Sequence, residues 1–160
     1  MTNEEVLSLS SALNSVGNLS GVKFAYCIAK NLDIVNREVK VIQKAIESSK
    51  EFNEYDQKRV ELAKKYSKKD DKGKEVVEGN QFVLADEKGF NKELEVLRKA
   101  NKKVLEAREE QIKSFNELLK EKSDIKLYQI SLDEVPEAIT TKQMSSIILL
   151  IKDEPNKTGK

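Results

Sequence analysis

The stretch AYCIAKNLDIVNREVKVIQKAI (Ala25–Ile46) decides the fold. Within it Ala25, Ile28, Leu32, Val35, Val39, Ile42 and Ile46 step alternately by three and four residues. That is the seam of a coiled coil, in which a narrow apolar stripe on one helix faces a partner helix. Ser48 and Ser49 interrupt the pattern, and Ser48 with Glu51 has the spacing of a new helix cap. Phe52, Tyr55, Leu62 and Tyr66 then continue a looser helical face to about residue 68.

The partner lies downstream. Leu94, Leu97, Val104, Ile112, Phe115 and Leu119 mark a second helical stripe between Phe90 and Ser123. Asn101 and Arg108 fall on the same stripe and make it less regular. Between the two stretches, Asp70, Asp71, Lys72 and Gly73 form a turn cluster. Residues 74–85 then place β-favouring residues on both sides of Gly79-Asn80. This predicts a hairpin with a two-residue turn, Val77 facing Phe82 and Val76 facing Val83. A hairpin between two long helices makes them antiparallel.

The ends of the chain supply a base. Thr2 and Glu5 have capping-box spacing ahead of Val6, Leu9, Leu13 and Val16, and Gly17 is a stop, which predicts a helix over 3–16. Ile125 to Leu132 alternates as a strand, with Tyr128, Ile130 and Leu132 on one face and Ile125 and Leu127 on the other. Thr140 and Gln143 form another capping box before Met144, Ile147, Ile148, Leu149, Leu150 and Ile151. The expected fold is mainly α with a minor β part. It is a single domain over 1–152: an arm from 22–68 and 90–123, the β-hairpin 74–85 at its tip, and a base from 1–21 and 124–152. The polar stretch 153–160 is expected to be disordered.

Composition narrows the function. Charged residues are 36% of the chain, more than the quarter or so usual for a globule, which suits long exposed helices. Lys and Arg number 29 against 28 Asp and Glu, so the basic excess expected of a duplex-DNA binder is missing. There is no histidine, which removes His-based acid–base, nucleophile-activating and metal-binding chemistry. Glycine-rich phosphate loops and metal-binding motifs are absent too. The acidic pairs Asp70-Asp71 and Asp133-Glu134 read as turn formers. A conventional enzyme is not expected, nor a cofactor. The single cysteine, Cys27, sits in an apolar run and reads as a small buried hydrophobe. No apolar stretch is long enough to span a membrane, and Thr2–Glu5 is unlike a signal peptide, so a cytoplasmic setting is expected.

Two candidate binding surfaces stand out. Lys23, Lys30, Arg37 and Lys44 recur every seven residues, forming one line along the first long helix. They lie opposite the seam, where a coiled coil places solvated charge, and Asp33 and Glu47 neutralise part of the line. With Asn18 and Tyr26 beside a helix start, Lys23, Lys30 and Arg37 make a candidate site for an anionic nucleotide. The alternative there is an ordinary helix-turn-helix corner. The other surface is Met144, Ile147, Leu149, Leu150 and Ile151, where consecutive apolar residues cover more than one helix face. That pattern predicts a homo-oligomer, a dimer above all.

The runs ALNSVGNLSGVKFAYCIAKN (Ala12–Asn31), YDQKRVELAKKY (Tyr55–Tyr66), KGKEVVEGNQF (Lys72–Phe82), FNKELEVL (Phe90–Leu97) and ITTKQMSSIILLI (Ile139–Ile151) resemble a family of small proteins encoded by tailed phages and prophages of Gram-positive bacteria. The resemblance spans nearly the whole chain. Its motifs are architectural and carry no chemistry, so no functional residue carries over. It implies a phage setting and expression in a bacterial cytoplasm. Two roles are then expected for such a protein. One is counter-defence or host modulation, sequestering an anionic nucleotide signal or a host protein. The other is virion assembly, as a head or tail chaperone.

Overall fold

The computed structural model describes residues 1–152; the expected tail 153–160 lies outside them. Among the described residues there are six α-helices and two small two-stranded sheets. The chain divides into two compact units, the first from Met1–Ile46 with Ser114–Lys160 and the second from Glu47–Lys113.

The first unit opens with α1 (Asn3–Val16), whose Thr2–Glu5 capping box forms as the sequence predicts. Val6, Leu9, Leu13 and Val16 are its buried stripe. Helix α2 (Val22–Ala45) follows after a corner at Gly21, where φ is +131°. A side chain is strained at that angle, so glycine lets the chain reverse without cost.

Ile28, Val35 and Ile42 of α2 are buried as the heptad predicts, but Leu32 and Val39 are half-buried and Ala25 is exposed. Phe24, Cys27 and Asn31 are buried instead. The buried face is wider than a coiled-coil seam because α2 packs both on α1 and beneath a returning segment, residues 125–131.

The break after α2 falls at the serines. Ser49, not Ser48, caps the next helix, accepting from the Phe52 amide at 3.1 Å, because Ser49 is the residue with extended backbone at the helix start.

The returning segment is not the full strand expected over 125–132. Only β3 (Ile130–Ser131) is ladder-paired, in parallel with β4 (Ile151–Lys152), and Leu132–Glu134 forms a 3-10 turn. Upstream, the Asn31 side chain takes the place of a neighbouring strand. Its Oδ1 accepts from the Tyr128 amide at 2.8 Å, and its Nδ2 donates to the Tyr128 carbonyl at 2.9 Å.

The last helix, α6 (Thr141–Ile147), keeps its Thr140–Gln143 capping box but ends early, in a 3-10 turn at Ile148–Leu150 and then β4. The uninterrupted apolar helix expected there is therefore corrected. The change of winding turns Ile147 and Leu150 inward and leaves Ile148 and Leu149 exposed.

The second unit holds α3 (Lys50–Lys65), the hairpin strands β1 (Val77–Glu78) and β2 (Gln81–Phe82), α4 (Glu87–Ala100) and the first part of α5 (Lys102–Lys120). The hairpin has the predicted register, Val77 opposite Phe82, with Gly79 at φ +59° in the turn. So short a hairpin needs support, and the residues after α3 supply it. The Lys68 amide donates to Val83 at 2.7 Å, the Val76 amide to Lys68 at 2.9 Å, and the Ala85 amide to Tyr66 at 2.8 Å.

The helix expected over 90–123 begins earlier, at Glu87, and is interrupted at Asn101. The Asn101 side chain donates to the Leu97 carbonyl at 2.8 Å, competing with the helical ladder. Ile112, expected on the seam, is exposed, and Gln111 turns inward to donate to the Glu47 carbonyl at 2.9 Å.

Where α3 ends and α4 begins, the Tyr66 hydroxyl and the Lys65 ammonium meet Glu93 at 2.6 and 2.7 Å, and the Tyr66 ring lies edge-on to Phe90. Those hydrogen bonds hold the Glu93 carboxyl below its ordinary range. Gly89 allows this approach. A β-carbon there would stand 2.6 Å from Tyr66 Cε1 and would collide with Asp86, which caps α4 through the Gly89 amide. Gly89→Ala is expected to cost about 1–3 kcal/mol through overpacking and loss of the cap. Urea denaturation checks it; an unchanged midpoint contradicts the packing described.

Candidate functional site

A concave feature lies in the first unit. It is a groove of about 710 Å3 between α1, the segment 125–129 and the end of α6. Leu9 and Ala12 form one wall, Ile125 and Leu127 the other, and Leu149 closes one end. The size is within the range of about 300–1,000 Å3 usual for ligand sites. Its polar side chains are largely engaged locally. Glu5 accepts from the Thr2 amide at 2.8 Å, Ser8 donates to the Glu4 carbonyl at 3.2 Å, and Ser146 donates to the Gln143 carbonyl at 2.7 Å. Such a lining offers apolar contact and shape rather than acid–base chemistry.

The main chain adds the directional groups. In an extended segment, successive residues turn their N–H and C=O to opposite edges. The Tyr128 pair faces α2 and is held by Asn31. On the other edge, the Glu121 carbonyl accepts from the Asn3 amide at 3.0 Å and the Ser123 amide donates to the Met1 carbonyl at 3.0 Å. This is an antiparallel bridge centred on Thr2 and Lys122. Further along that edge, the N–H and C=O groups of Ile125 and Leu127 have no hydrogen-bond partner among the described residues.

The anionic-ligand candidates are not gathered into one site. Lys23 pairs with Glu134, Lys30 stands 5.7 Å above the Tyr26 ring, and Arg37 pairs with Asp33 at 2.8 Å. The hydrogen bond and charge of Lys23 hold the Glu134 carboxyl below its ordinary range. Asn18 is exposed at the corner. The adjoining cavity is about 100 Å3, with apolar walls that include Leu19, Phe24 and Ile28, too small for a nucleotide. Cys27 is buried as expected, and burial pushes its thiol pKa up while Asn31 opposes the shift.

Of the candidate oligomer contacts, Ile147 and Leu150 are both 0% exposed within the chain, so a second copy cannot touch them. Met144 and Ile151 are half-buried, and Leu149 is exposed. Ile148, at 59% exposure, presents more apolar surface than any of these five.

Sequence reasoning missed the groove because its walls come from residues more than 100 positions apart. The signal that was present was the half-buried alternation of Ile125 and Leu127. It also missed a hollow of about 470 Å3 in the second unit, where Arg108 lies 5.2 Å from the Phe52 ring beside Val104 and Gln111. Arg108 stood out in the sequence only as an irregularity of the stripe.

No family model, curated protein or solved structure matches this chain. Among the described residues, no helix is long and apolar enough to cross a membrane.

Proposed function

We propose that this chain is a non-enzymatic binding protein that acts by stoichiometric capture of another protein, through the groove of the first unit. The observation that carries this reading is the groove itself: an apolar cleft closed at one end by Leu149, which is 44% exposed. Exposed apolar surface at a cleft marks interaction sites. In the phage setting that the resemblance implies, the captured protein is a host factor, and the role is counter-defence or host modulation in the bacterial cytoplasm. In an assembly role the captured protein is a phage structural protein; its identity separates the two.

A second reading, sequestration of an anionic nucleotide, draws on the exposed Tyr26 ring with Lys30 above it and Lys23 on the same helix. A homodimer through the exposed Ile148 and Leu149 is a third reading.

Native mass spectrometry of the chain recovered from infected bacteria distinguishes them. The expected species is a one-to-one complex with a protein, lost in Leu149→Asp and kept in Lys23→Ala. A retained nucleotide lost in Lys23→Ala overturns the reading, as does a homodimer lost in Leu149→Asp or a bare monomer.

A further inference from the structure

We infer that the groove of the first unit binds its partner as an added β-strand: an extended peptide, apolar at alternate positions, running antiparallel to residues 125–129. The inference rests on the protein-capture reading above and says what part of the partner is held and how.

Three observations converge on it. Ile125 and Leu127 are half-buried, yet their main-chain donors and acceptors are unpaired among the described residues. Peptide groups that lack partners favour whatever ligand supplies them. A strand supplies N–H and C=O at the right spacing, whereas a helix or a flat organic ligand does not.

The same edge is also already used as a strand edge within this molecule. Asn3 and Met1 bond to Glu121 and Ser123 in antiparallel fashion, and the groove begins where that bridge stops. An incoming antiparallel strand therefore continues a pairing that the fold has started. Its direction is set by the bridge.

Finally, the opposite edge is engaged at Tyr128, where Asn31, 0% exposed, occupies both main-chain groups. Alternate side chains of the added strand would meet Leu9, Ala12 and Leu149, whose walls are apolar. The partner segment thus has Val, Ile, Leu or an aromatic residue at every second position and carries no proline at the alternate positions whose N–H groups face residues 125–129.

The test begins with the free chain. Amide hydrogen exchange should be fast at Ile125 and Leu127 and slow at Tyr128. A displayed library of random twelve-residue peptides is then selected against the whole chain. Enriched peptides should alternate apolar residues. The synthetic form of the best one should slow exchange at Ile125 and Leu127 at least tenfold. Methylating its alternate backbone nitrogens should abolish binding although every side chain is kept. Ser8→Arg and Ala12→Arg should each weaken it tenfold or more; Ser8 is exposed, so its variant folds if the Ala12 one does not.

Several results overturn strand addition. One is protection of the two amides already in the free chain. Another is a peptide that binds with unchanged exchange there, or whose binding survives backbone methylation. Protection that rises with protein concentration alone would assign the edge to a second copy. If the one-to-one protein complex is seen by mass spectrometry in these cases, the capture reading stands and only the strand fails. If no peptide is enriched, the strand inference fails also.

Discussion

Asn31→Leu should destabilise the chain by about 3 kcal/mol, the combined effect of leaving two main-chain groups without partners. Asn31 is fully buried, and its amide satisfies both the N–H and the C=O of Tyr128. Leucine has nearly the same volume, so little of the loss comes from a cavity. Asn31→Asp retains the acceptor but sets a carboxylate against the Tyr128 carbonyl, and should be at least as damaging at neutral pH. Thermal and urea unfolding followed by circular dichroism measures both. A leucine variant within about 0.5 kcal/mol of the parent would show that Asn31 is not the clamp on this segment.

Phe24→Ala should cost a similar or larger amount, about 3–5 kcal/mol. Phe24 is 1% exposed, at the start of α2, in one cluster with Leu13, Val16 and Ile147. Removing the ring leaves a void lined by α1 and the corner, whose geometry is fixed by Gly21. Leu32→Ala is the matched control, because Leu32 is only half-buried. Its cost should fall clearly below that of Phe24→Ala. Equal costs would mean that the coiled-coil seam, rather than the wider face of α2, carries the packing.

That contrast shows what the sequence can and cannot tell. Local signals were legible. Both capping boxes, the α1 stripe, the Gly79-Asn80 turn and the break near Ser48-Ser49 each rest on residues a few positions apart, and the structure places them within one residue of expectation. The seam of α2 was legible at Ile28, Val35 and Ile42 because a helix repeats its face whatever covers it.

Cys27 was read as buried from its apolar run, whereas Phe24 and Asn31 were not legible as core, since what covers them arrives from residues 125–150. The same holds for the end of α6. Five apolar residues in a row look like an oversized helical face, but a switch from α to 3-10 to strand hands them alternately to core and solvent. Asn101 was visible as a fault in the second stripe, though its effect, a break between α4 and α5, depends on its side chain bonding back to Leu97. For the site, residue type misled. Charge and aromatic rings drew attention to Lys23, Tyr26 and Lys30, while the groove is built from aliphatic walls and unpaired peptide groups that carry no sequence signature.

The division of the chain also bears on how it is made. The second unit is one unbroken stretch, Glu47–Lys113, so all its partners are present once that stretch has left the ribosome. The first unit is split around it. Helices α1 and α2 emerge before the second unit and can pair with each other, but Ile130, Ile147 and Leu150, which finish their core, are synthesised only after the whole of it. Until then Phe24 and Asn31 lack their final cover. Contacts so distant in sequence close slowly, and an open apolar flank on a nascent chain invites wrong partners. Synthesis rate and chaperone supply should consequently govern the yield of the first unit far more than that of the second.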